Sequence, residues 1–161
     1  MKEELKWNPS ALFSLVLIIL SGFYFPVFTM NSSSGFAALS KTTTVYNLFL
    51  NIFSGQSLIS SNYTIAIFVV ILIYLLIAFF YLLNGFGLIY NEYSNYASIL
   101  TIVYLILGII STVLINTATK STPIFGALIP SFTIGLGTYF ITIVGVSYLF
   151  LHEKINSIIK I

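Results

Sequence analysis

Four long apolar stretches, separated by polar segments, set the pattern of this chain. The first runs from about Ala11 to Met30, behind the helix-start cluster Asn8, Pro9 and Ser10. The second runs from about Ile65 to Leu88 without a charged residue and passes Gly85 and Gly87 at its exit. The third covers about Ala97 to Ile115 and the fourth about Ser131 to Leu151, with Pro130 standing where a first-turn proline would, or else kinking a longer helix that begins near Ile124. Each is near the ~20 residues that a helix needs to cross the hydrocarbon of a bilayer. Pro26 predicts a kink or an end in the first helix, because proline cannot donate the hydrogen bond of a helix interior.

The segments between are unequal. Asn91 to Tyr96 reads as a tight turn, which makes spans two and three an antiparallel hairpin. Asn116 to Ile129 is a moderate connection. Asn31 to Thr64 is long and rich in Ser, Thr and Asn. Inside that loop, V-Y-N-L-F-L-N-I-F at Val45–Phe53 puts Asn47, Asn51 and Ser54 on one face and Phe49, Ile52 and Phe53 away from it. That spacing predicts a short amphipathic helix on the membrane surface or over the bundle. No repeat or domain boundary interrupts the pattern. The expectation is therefore a single all-α integral membrane domain, a bundle of four transmembrane helices.

Composition agrees. The chain is 58% hydrophobic and 6% charged, with a mean hydropathy of +1.05, whereas an ordinary soluble domain is roughly a quarter charged. Membrane lipid is the implied solvent, and a net charge of +2 gives no reason to expect a nucleic-acid partner. All six basic residues are lysines, so no guanidinium clamp for phosphate can form. Without cysteine there are no disulfides and no thiolate metal or redox sites.

Four spans place both termini on one side. Lys2, Lys6, Lys154 and Lys160 lie there, against Lys41 and Lys120 on the other, which predicts cytoplasmic termini in a multi-pass protein of the cell membrane. The sequons at Asn31 and Asn62 then fall in the outer loop as possible glycosylation sites. Trp7, Tyr90, Tyr93, Tyr96 and Tyr148 are expected at the inner interface, with Tyr24 and Tyr63 at the outer one.

Candidate chemistry is sparse. No ionisable residue falls within the core of any span, which argues against a proton relay or a voltage sensor. His152 is the only histidine, too few for a bis-histidine haem. Glu153 beside it points about 100° away on a helix, so no metal site is expected. Glu92 is placed to pair with Lys154 across the inner face. The remaining pattern is one of small and hydroxylated residues. On span four, Ser131, Gly135, Thr138, Thr142 and Gly145 fall within about an 80° arc. Span three carries Ser98, Thr101, Gly108 and Thr112, and span two carries Tyr74 and Tyr81. Lipid tails supply no hydrophobic force between helices, so close approach and interhelical hydrogen bonds must hold them. These stripes are the expected packing seams, or else an interface with a partner.

Four spans with a long first and a shorter second outer loop resemble the layout of claudins and tetraspanins. The resemblance is one of topology: the paired cysteines of those families are missing, and Trp7 precedes the first span. It therefore implies no functional residues here. The expected role is a non-catalytic structural or accessory subunit of a larger membrane assembly, such as a respiratory or other energy-transducing one, touching other membrane subunits or copies of itself and needing no cofactor. The alternative is a small oligomeric channel or facilitator for a polar solute, lined by the Ser, Thr and Tyr stripes.

Overall fold

A computed structural model of the chain describes residues 7–34, 37–54, 61–90, 92–120 and 130–159. The chain is mostly helical, with helices α1 (Pro9–Tyr24), α2 (Val45–Phe53), α3 (Ser61–Gly85), α4 (Glu92–Lys120) and α5 (Leu136–Ile159). Strands β1 (Phe28–Ser34), β2 (Ala37–Thr43) and β3 (Pro130–Ile134) add a small sheet. Stretches of α3, α4 and α5 are long and apolar enough to cross a membrane: Ile67–Gly85, Asn95–Leu114 and Leu136–Ile158. The fourth apolar helix, α1, has 16 residues, or about 24 Å at 1.5 Å per residue.

Helices α1, α3, α4 and α5 pack in a closed ring: α1 on α3, α3 on α4, α4 on α5, and α5 back on α1. The core inside the ring holds Ile18, Val70, Ile77, Tyr81, Tyr104 and Ile141, while Phe13, Phe79, Ile109 and Ile143 stand exposed on the outside. Both surfaces are apolar. Hydropathy alone therefore could not orient the helices, and the small and hydroxylated residues do so.

The three-stranded sheet departs from the all-α expectation. Its order is β2-β1-β3, antiparallel throughout, with Phe28 opposite both Thr43 and Ile134. It also corrects two span boundaries. The first helix stops at Tyr24, short of Met30, because Pro26 forces the preceding residue out of the helical region. Phe25 is accordingly extended at φ −100°, ψ 133°. The fourth helix starts at Leu136, not Ser131, and continues to Ile159. Pro130 opens β3, an edge strand that can tolerate a missing donor.

Two connections also differ from what the polarity pattern suggested. α3 ends at Gly85 and α4 begins at Glu92, so the hairpin turn comes before Glu92 rather than at Asn91–Tyr96, with Gly87 at φ 67° in the left-handed region that glycine adopts freely. At its far end α4 runs through Asn116 to Lys120, into what reads as loop. Within the long first connection, the amphipathic helix lies at the expected Val45–Phe53. Its Val45 and Leu48 are buried and its Asn47 is exposed.

Candidate functional site

Polar groups meet within the fold in three places. The first is the end where α1 begins and α5 finishes. Asn8 caps α1 by accepting from the backbone N–H of Ala11 (3.2 Å), and its own N–H donates to the Gly85 carbonyl at the end of α3 (3.2 Å). Its side-chain amide donates to Asn84 Oδ1 (2.7 Å) and Tyr148 Oη (2.8 Å). Its carbonyl oxygen accepts from Ser10 Oγ (2.6 Å) and Asn156 Nδ2 (3.0 Å). One buried asparagine thus holds the ends of α1, α3 and α5 together. Sequence reasoning saw Asn8 only as a helix start. Its pairing with residues 76 and 148 positions away leaves no local signal.

Tyr148 extends this tie. Its ring packs edge-on against Tyr81 (centroids 5.1 Å) and stacks on His152 (5.1 Å, 16° between planes). His152 Nδ1 donates to the Tyr148 carbonyl (3.0 Å). Tyr148 is therefore buried in the core, which corrects its assignment to the aromatic belt. Trp7, Tyr90, Tyr93, Tyr96 and Tyr24 are exposed. The Tyr63 side chain and that of Glu92, the candidate partner of Lys154, lie outside the described residues.

The second place is the seam between α4 and its neighbours. Tyr81 on α3 shares a 2.8 Å hydrogen bond with Ser98 on α4. Thr101 Oγ1 donates to the Ser98 carbonyl (2.6 Å) and Thr112 Oγ1 to the Gly108 carbonyl (2.8 Å). From α5, Thr142 Oγ1 reaches both the Thr101 carbonyl (3.2 Å) and its own Thr138 carbonyl (3.0 Å). A side chain at Gly145 would overlap Thr101, and one at Gly108 would touch Thr138. Tyr74 turns the other way, donating to the Ile18 carbonyl of α1 (2.9 Å) beside Gly22. The structure thus brings Ser98, Thr101, Gly108, Thr112, Thr138, Thr142, Gly145, Tyr74 and Tyr81 into contacts within the chain.

Ser131 and Gly135 do not belong to that helical arc. Ser131 lies in β3 opposite Asn31, and Gly135 lies in the bend before α5. Gly135 instead builds the third place, the junction of sheet and bundle. Its N–H donates to the Val27 carbonyl (2.6 Å), and the Gly137 N–H to the Pro26 carbonyl (2.8 Å). A side chain on Gly135 would run into the Pro26 carbonyl. Val27 also donates to the Thr43 carbonyl (2.8 Å), and its own carbonyl accepts from Thr138 Oγ1 (3.3 Å). Irregular backbone so close to an apolar bundle needs every polar group paired, and this set of bonds pairs those of Val27. Of the two sequon asparagines, Asn31 lies in β1 and Asn62 in the first turn of α3, with side chains outside the described residues.

Among the described residues, one buried hydroxyl departs from this pattern. Tyr104 Oη, fully buried on α4, makes no hydrogen bond, although Thr138 and Tyr74 lie near it. The Thr138 hydroxyl is directed to Val27. Among the described residues, no three His, Cys, Asp or Glu side chains gather where a metal could bind.

The fold and its polar ties define a helical membrane-type bundle capped by a small sheet. No family model, curated protein or solved structure matches the chain.

Proposed function

We propose that the protein is a non-catalytic structural or accessory subunit of a larger assembly in the cell membrane, crossing it four times with both termini in the cytoplasm. The single observation that carries this reading is the use made of the polar groups. Asn8, Tyr81, Thr101, Thr138 and Thr142 are all directed to atoms of the same chain. What the protein presents outward is an apolar surface for lipid or for the helices of neighbouring subunits. The fourth crossing rests on α1, whose 16 residues are extended by Phe25–Phe28. The meeting of Ser10 with Asn156 (3.2 Å) supports termini on a common side, and the lysine distribution supports the cytoplasm as that side.

Gentle solubilisation followed by mass measurement of the intact particle tests this. A stoichiometric second chain is the expected result. A lone monomer with nothing co-purifying overturns the reading.

The alternative, a small oligomeric facilitator for a polar solute, is favoured by one observation, the unbonded hydroxyl of Tyr104. Flux into proteoliposomes separates the two. Solute entry that is lost in Thr138→Leu supports the facilitator, and absence of flux in the parent protein removes it.

A further inference from the structure

A cavity of about 360 Å³ opens on the flank of the bundle between α1, α2 and α3. Gly22 and Ala78 leave its floor low, Ile71 and Leu75 form one wall, and Tyr46 and Phe49 of α2 close over it. Phe23 on α1 meets Tyr46 ring to ring (5.0 Å), which seats α2 against the bundle as a roof. We infer that this cavity binds a single hydrocarbon chain of a bilayer lipid. The inference rests on the membrane reading but not on the accessory-subunit role.

Three observations select that occupant. The lining is almost wholly hydrocarbon, and the Tyr74 hydroxyl within it is already bonded to the Ile18 carbonyl, so the walls offer nothing to a polar ligand. Size decides against a helix of a second copy or another subunit. A helix is about 10–12 Å across with its side chains, and two turns of one exceed a cavity of about 360 Å³. Position supplies the lipid. Leu72, Leu75, Leu76 and Phe79 on the neighbouring surface of α3 are exposed, within a segment fit to span the bilayer. Beside the cavity, Asn47 of α2 and Ser54 just past its end are exposed and suit the headgroup region. The chain would fill a gap that otherwise lacks dispersion contacts on one side.

The experiment uses the full chain in phosphatidylcholine vesicles doped with a phosphatidylcholine carrying a photoactivatable diazirine in one acyl chain. Adducts on the peptides holding Phe49 and Leu75 are compared with those at Ile102 and Ile109, exposed on α4. The expected enrichment at the cavity is about fivefold, and Leu75→Trp, which enlarges an exposed wall residue, abolishes it. Ala78→Phe fills the cavity from its floor and gives the same result, with unchanged α4 adducts reporting that each variant is folded. Equal labelling of cavity and α4, or enrichment that survives both substitutions, would each overturn the inference.

Discussion

The two ends of the bundle solve one problem by opposite means. Where α1 begins, helix ends are joined mainly through side chains: besides one backbone bond to Gly85, the Asn8 side chain reaches Asn84, Tyr148 and Asn156. Where α1 stops, they are joined through backbone, with Pro26 and Val27 accepting directly from Gly137 and Gly135. The first end needs residues that carry amides. The second needs residues that carry no side chain, because any Cβ at Gly135 meets the Pro26 carbonyl. Among the described residues, neither end is tied by charge. Hydrogen bonds that lipid cannot compete for hold both, as expected of helices that gain nothing from the hydrophobic effect by meeting one another.

Substitutions can break each half of this contrast. Gly135→Val is expected to do most damage, about 3 kcal/mol or more, because rigid backbone rather than a mobile side chain stands in the way. Unfolding in a detergent titration measures the loss, and a variant as stable as the parent would show that the sheet junction is not a tie. Asn8→Ala comes next, at about 2–3 kcal/mol. That figure combines three interhelical bonds at ~0.6 kcal/mol each with a lost helix cap of ~1 kcal/mol. Proteolysis and hydrogen exchange should localise its effect to the ends of α1 and α5, leaving the sheet protected. If exchange rises equally at both ends, the ties are not independent.

Smaller changes sharpen the same comparison inside the seam. Tyr81→Phe removes one bond between α3 and α4, so a loss near ~0.6 kcal/mol is expected in the same titration. Tyr104→Phe removes a hydroxyl that has no partner, and is expected to leave stability unchanged or raised by up to about 1 kcal/mol. A clear loss in Tyr104→Phe would mean that its hydroxyl is bonded in the membrane.

Much of the helical layout was legible from apolar runs, because a span must be long, uncharged and continuous to cross hydrocarbon. The amphipathic helix at Val45–Phe53 was legible for a related reason: alternation at 100° per residue is written into neighbouring positions. The sheet was not. Met-Asn-Ser-Ser-Ser in β1 has neither the β-branched content nor the alternation of a strand. It becomes a strand by pairing with β2 next door and with β3 some hundred residues away. The same non-local cause placed Ser131 and Gly135 on a helical arc they do not share. A helix period drawn through Pro130–Gly135 is valid only if the segment is helical.

The amino-acid sequence by itself determined that the long elements are apolar helices fit for a membrane, and that small and hydroxylated residues rather than charges are available to join them. These follow from composition and short-range periodicity, which hold whatever the chain's path in space. Tertiary structure alone decided which carbonyl each hydroxyl reaches, that Tyr148 turns inward to Asn8 rather than out to the interface, and that Asn8 serves three helices at once. Those choices depend on which helix ends are neighbours. In a bundle whose inner and outer faces are equally apolar, that neighbourhood is fixed by close contact and hydrogen-bond geometry, which hydropathy does not encode.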